Sequence, residues 1–213
     1  MVRSGGTWRA LKGAMSFVGL PRKSLLTLAV FAAGGAFSAS PARAADAREI
    51  QGYDVRVPNV DQNAGAARAR VASPRDTLRS VLTDYSHYSQ IISRFEKAKI
   101  VGRVGQQTDV YLEVPILHGA TKIWAIIRFD PPKTEGEAEV VRGHMVRGNV
   151  KRLDAVWRAR KVDETSTDLA LELLIVPDLR IPAPQSLVLS ETRRAAARAV
   201  SGARAEAERR ARH

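Results

Sequence analysis

The stretch that most limits how this chain can fold is ASPRDTLRSVLTDYSHYSQII, residues 72–92, because of what lies on either side of it. Before it, Ala66 to Ala72 alternates small apolar and basic residues, the period of a half-exposed strand. Inside it, Ser73 stands at an N-cap position and Pro74 at the first helical one, where a missing N–H costs nothing. Leu78, Val81 and Leu82 recur at helical spacing as far as Asp84, and Tyr85, Tyr88, Ile91 and Ile92 give a second short helix an apolar-aromatic face. From Phe95 onward the period is two. Two helices inserted after one strand, with only strands following until a terminal helix, predict a sheet curled around a helix, and a cavity between them.

The strand ladder reads as Lys97 to Val104, Thr108 to Ile116, Ala120 to Phe129, Glu135 to Val146, Asn149 to Lys161 and Thr167 to Val176. Leu117-His118-Gly119, Asp130-Pro131-Pro132 and Arg147-Gly148 are short connections, which favour antiparallel neighbours. Pro177, Pro182 and Pro184 enforce extended chain, and Gln185 to Arg212 then reads as one long helix interrupted only by Gly202, its last turn frayed beyond that glycine. Ala45 to Gly65 is polar and rich in breakers, an irregular N-terminal segment with at most a weak strand at Tyr53 to Val57. No internal repeat is visible.

Residues 1–44 read as a targeting segment rather than as fold. Arg22 and Lys23 precede an apolar run from Leu25 to Phe37, and small residues lead to Ala42-Arg43-Ala44, an Ala-x-Ala cleavage pattern that places the mature start at Ala45. No twin-Arg signal is present, so the general secretory route and a periplasmic destination are expected. Met15 would give a more ordinary leader than Met1. An uncleaved anchor is the alternative, but Gly34, Gly35 and Ser38 break a run already shorter than the ~20 residues that span a bilayer.

Net charge misleads until it is divided. The total of +12 comprises six basic and no acidic residues in 1–44, and seven Arg against three Glu in 190–213. Residues 45–189 hold 21 basic and 19 acidic residues, so the central domain is nearly neutral and nucleic-acid binding loses its support. The chain has no cysteine, which excludes disulfides, thiolate ligands and a Cys nucleophile.

With the order of elements in view, the chain resembles the START-related helix-grip superfamily, including its polyketide cyclase/dehydrase and coenzyme Q-binding branches. The resemblance spans Ala66 to Ala207. It rests on Ala72-Ser73-Pro74, Val81-Leu82-Thr83-Asp84-Tyr85 with Tyr88, Gly148-Asn149 leading to Ala155-Val156-Trp157-Arg158, and Pro182-Ala183-Pro184. It implies an α+β helix-grip domain over 66–213. A curved antiparallel sheet of six to seven strands would wrap a long C-terminal helix, with two short helices after the first strand. It also implies a hydrophobic ligand between sheet and helix, in a superfamily many of whose members catalyse nothing.

Alternation assigns the inward face. Val110, Leu112 and Val114; Ile123, Ala125, Ile127 and Phe129; Leu153, Ala155, Trp157 and Ala159; and Leu169, Leu171, Leu173 and Ile175 share it. Such a face suits a solid core as well as a pocket. The opposing helix offers mostly small residues, Ala195, Ala196, Ala199, Val200 and Ala203, which either draw it close or leave space. In the fourth strand Arg142 and His144 share a face with Ala138 and Val140. Turned inward, they would orient a ligand; turned outward, they are solvated. Tyr85 and Tyr88 are candidates for the rim, and Arg194 for a further orienting group.

The catalytic inventory is thin. His87, His118 and His144 form no HExxH or His-x-His motif, and no Gly-x-Ser-x-Gly elbow is present, so neither a metal nor a cofactor is expected. A cyclase or dehydratase would use His144 with Tyr111 or Glu113, but the latter two alternate onto the outer face. Arg193, Arg194, Arg198, Arg204, Arg209, Arg210 and Arg212 sit among alanines, either as a solvated helix face or as a contact for anionic lipid, worth ~1 kcal/mol per basic residue near such a surface. The reading that emerges is an exported, non-enzymatic carrier of a lipid, quinone or polyketide-like molecule. A cyclase-type enzyme, and an envelope interaction module with a solid core and a basic tail, stand as alternatives.

Overall fold

The structure, a computed structural model, describes residues 49–116, 121–178 and 184–213. The expected leader, the turn containing His118, and Pro182-Ala183 lie outside these residues. Nine strands form one sheet: β1 (Gln51–Val55), β2 (Ala64–Val71), β3 (Lys97–Val104), β4 (Gln107–Ile116), β5 (Thr121–Phe129), β6 (Lys133–Glu135), β7 (Ala138–Gly148), β8 (Arg152–Lys161) and β9 (Thr167–Val176). The spatial order is β1-β2-β9-β8-β7-β5-β4-β3, every pairing is antiparallel, and β6 pairs with β7 off this path. The helices are α1 (Arg75–Leu82), α2 (Tyr88–Ile91), preceded by a 3₁₀ turn at Tyr85–His87, and the terminal α3 (Gln185–Arg210). This is the α+β, helix-gripping arrangement that the order of elements predicts.

Three boundaries differ from expectation, each for a local reason. The segment read as irregular contains β1, an edge strand whose Tyr53 pairs with Ala66, so the first two helices follow the second strand rather than the first. The single strand expected from Glu135 is broken by Gly136, whose φ of 60° permits the tight turn joining β6 to β7. Together these raise the strand count above the expected six to seven. Ser73 does not cap α1; Pro74 holds the N-cap position, and its carbonyl accepts from Leu78 N–H at 3.1 Å. Ser73 is instead fully buried, and its carbonyl accepts the Thr167 hydroxyl at 2.9 Å.

β2 and β3 lie near opposite ends of the sheet, so α1 and α2 carry the chain across from one end to the other. They close one end of the concave face. Leu78, Val81 and Leu82, spaced for one helix side, join the same core as Val110, Ile127, Leu169 and Val200. The buried carboxylate of Glu139 on β7 meets α1 through Arg79 at 2.5 Å and Arg75 at 3.8 Å.

Helix α3 is held at two close approaches. A Cβ on Gly65 of β2 would fall 2.4 Å from the backbone nitrogen of Arg193. One on Gly202 would fall 2.1 Å from the carbonyl oxygen of Ile91. Gly202 is therefore not where the helix frays. It is where α3 packs against α2, and the helix runs on to Arg210 with Ala203 and Ala207 buried.

Replacing glycine by alanine inside a helix ordinarily stabilises it by about 1 kcal/mol. Gly202→Ala should do the reverse, destabilising by about 1–3 kcal/mol as in an overpacked core. Urea denaturation would show this as a lower midpoint at unchanged slope.

Candidate functional site

The two packing contacts leave the space beside the first half of α3 unfilled. There the helix presents Leu187, Val188, Ala195 and Ala199 to a cavity of about 900 Å³ walled by the concave sheet. This is near the upper end of the ~300–1,000 Å³ usual for small-molecule sites. The small residues of α3 therefore do both things open to them. Ala196, Ala203 and Ala207 are buried where the helix packs close, while Ala195 and Ala199 border the open space.

Most of the residues expected at the site line this cavity: Tyr88, Leu112, Val114, Ile123, Ala125, Ile127, Leu153, Trp157, Leu171, Leu173 and Arg194. Period-two alternation placed the sheet residues correctly because β4, β5, β8 and β9 each have one continuous apolar side.

Tyr85, Arg142 and His144 are not brought there. Tyr85 lies behind the wall, stacked on Phe129 with ring centroids 4.5 Å apart, and Phe129 faces the cavity in its place. On β7 the inward residues are Val141, Gly143 and Met145. A Cβ on Gly143 would fall 2.7 Å from Phe129 and 2.8 Å from Ile127, and Val141 and Met145 pack with the core. Arg142 therefore points outward, donating to Glu135 at 2.6 Å, and His144 is exposed. The alternation misled because Val140 and Val141 are both buried, and because the inward residue of the preceding pair is Glu139, whose charge is matched from α1.

Sequence reasoning missed Arg94, Phe95, Glu96, Glu191, Thr192 and Arg198, which also line the cavity. Glu191, Thr192 and Arg198 were findable, since they fall one helical turn to either side of Ala195. Arg94 to Glu96 follow α2 and carry no periodic signal.

The aromatic cluster under the α1–α2 connection is tied off. Tyr88 donates its hydroxyl to the Leu82 carbonyl at 2.5 Å and meets Tyr85 edge-on at 5.5 Å. Burial, reinforced by Tyr85 and Asp84, pushes its phenol well above the ordinary tyrosine range. Tyr111 and Glu113 lie on the outer face, where Tyr111 donates to Glu113 at 2.7 Å. That bond, with those from Lys122 and Lys97, holds the Glu113 carboxyl at about 2. Among the described residues no histidine lines the cavity, and no group of three or more His, Asp or Glu side chains could hold a metal ion.

The arginine-rich tail is largely engaged. Arg193 pairs with Asp54 of β1 at 3.2 Å, Arg194 with Glu191 at 2.7 Å, Arg204 with Glu208 at 3.7 Å, and Arg209 and Arg210 with Glu206. It is not the open cationic flank that composition suggests. Arg210 also donates to Asp84 at 2.6 Å, and Asp84 bonds His87 at 2.6 Å, which clamps the α1–α2 connection to the end of α3.

Acid should open this clamp. Burial alone would raise the Asp84 carboxyl, but His87 and Arg210 outweigh it and hold it below its ordinary value. Arg209 and then Arg210 hold Glu206 at about 2 against an ordinary 4.5, despite partial burial. Both pKa values are depressed by folding, so their stabilisation is complete above about 4.5 and is lost as pH falls toward about 2. Glu206→Gln should flatten the dependence of melting temperature on pH across that window.

A scan against protein-family models and a search of curated proteins give no match. Solved structures do match. A STAR-related lipid transfer protein from Xanthomonas axonopodis superposes with a TM-score of 0.61 at 16% identity, covering 73% of this chain and 92% of that one. The Zhui aromatase/cyclase from Streptomyces sp. R1128 gives 0.54 at 21% identity, covering 76% and 96%. Human StAR-related lipid transfer protein 5 gives 0.60 at 10% identity, covering 75% and 82%. The fold is that of the START-related helix-grip proteins.

Proposed function

We propose that this chain, which carries the START-related helix-grip fold, is an exported, periplasmic carrier that binds a hydrophobic small molecule without transforming it. The observation that supports this reading is the cavity of about 900 Å³, whose walls are dominated by Leu112, Ile127, Trp157, Leu171 and their neighbours. An apolar ligand there would gain ~25 cal/mol for each Å² of apolar surface withdrawn from water, before ordering costs. A lipid, a quinone or a polyketide-like molecule fits the description. The matched structures include some named as lipid transfer proteins and one named as an aromatase/cyclase, so fold alone leaves catalysis open.

The chemistry of the walls favours carriage over catalysis. General acid–base work needs a group that exchanges protons near the working pH. Tyr88 is held protonated and committed to Leu82, and His144, Tyr111 and Glu113 face away. Export rests on the leader pattern in residues 1–44. Contact with an anionic membrane, in this reading, involves the mouth of the cavity rather than the tail as a whole, because most tail arginines already hold carboxylates. The exposed Leu187 lies on that mouth.

Leu173→Trp tests the reading. Enlarging a side chain in a packed core costs about 1–3 kcal/mol, but here the indole enters free space, so the melting temperature should barely change. Nile red binding should weaken by more than roughly tenfold. Arg142→Ala and His144→Ala should bind the dye like the parent protein. Unaltered binding by Leu173→Trp would refute occupancy of the cavity.

A further inference from the structure

We infer that the ligand carries an anionic head group, a carboxylate or a phosphate, held at the cavity by Arg198 and Arg94. The inference rests on the proposed carrier function and specifies the chemistry of its ligand. Few polar side chains of the wall are free to receive one.

Tyr88 and Thr192 are committed internally, Tyr88 to the Leu82 carbonyl and Thr192 to the Val188 carbonyl at 2.6 Å. The two carboxylates of the wall are neutralised, Glu96 by Lys122 at 2.6 Å and Glu191 by Arg194 at 2.7 Å. Two guanidiniums remain. Arg94 donates one bond to the Pro115 carbonyl at 3.3 Å and faces no carboxylate among the described residues. Arg198 is exposed, lines the cavity, and has no hydrogen-bond or ion-pair partner among them. Each guanidinium carries five N–H donors in a planar fork that suits carboxylate or phosphate oxygens.

Position reinforces the assignment. The free charge sits where α2 gives way to β3 and in the middle of α3, while the sheet wall is aliphatic and aromatic. A charged head would be excluded from that wall by its desolvation cost, whereas an alkyl or isoprenoid chain would be excluded from water. An amphiphile with an acidic end satisfies both, whereas beside a neutral lipophile the two cations would have only water and, for Arg94, the Pro115 carbonyl.

The test uses one chain length with three heads: hexadecanoate, hexadecyl phosphate and hexadecanol, titrated into the full-length protein carrying Trp8→Phe and Trp124→Phe, so that the tryptophan fluorescence followed is that of Trp157 in the cavity wall. At mildly alkaline pH and low salt, both anions should bind about fivefold tighter than the alcohol, the upper range for ion pairs that remain partly solvated. Added salt should shrink that preference. Arg94→Gln with Arg198→Gln should remove the preference, so that the anions bind no tighter than hexadecanol does to the same variant. Because Arg198 is exposed and unpartnered, Arg198→Gln alone should fold normally and lose part of the preference. Equal affinity of the alcohol and the anions, or a preference that survives the double variant, would overturn the inference while sparing the carrier reading. Failure of all three to bind would overturn both.

Discussion

The structure depends on backbone proximity at two glycines. Gly65 lets β2 meet α3 at Arg193, and Gly202 lets α3 meet α2 at Ile91, each at a distance that no side chain would allow. Once the helix is fixed at these places, its remaining position is no longer adjustable. The curved sheet cannot collapse onto residues 187–199, and the space beside them persists where Ala195 and Ala199 face it. A cavity is ordinarily costly to a protein, since its lining forgoes dispersion contacts. Here the helix is anchored beyond the cavity as well as beside it, so the fold can tolerate the gap.

Charge serves the same end. The basic tail is mostly bound to carboxylates on its own helix, on β1 and in the α1–α2 connection, so its arginines act as ties. Individually such partly exposed pairs contribute little. Their arrangement matters more than their sum, because Asp54 and Asp84 hold α3 at two points far apart along it, Arg193 and Arg210. Arg198 stands apart from this pattern. It is on the same helix, in the same composition, and turned toward the cavity.

Much of this was legible in the residues. Strands β3, β4, β5, β8 and β9 and the long helix follow from alternation and from the run after Pro184, and the inward faces of β4, β5, β8 and β9 follow from one apolar side each. What was not legible has physical causes. Gly136 turns the chain in a place that alternation alone reads as continuous strand. Glu139 breaks the apolar parity of β7, because its charge is answered by arginines distant in sequence, and so alternation could not decide between the two faces for Arg142 and His144. The distinction between Arg194 and Arg198 is invisible to composition; it rests on Glu191 lying three residues before Arg194, while Arg198 meets no carboxylate among the described residues.

The central claim is that the space between α3 and the sheet exists to be occupied. Native mass spectrometry of the protein purified from its own cells tests it most directly. The account predicts a mass increment from a co-purifying lipophile that is released on denaturation and absent from Leu173→Trp. A protein that flies at its bare polypeptide mass, with a crystallographic interior filled by side chains, would contradict it.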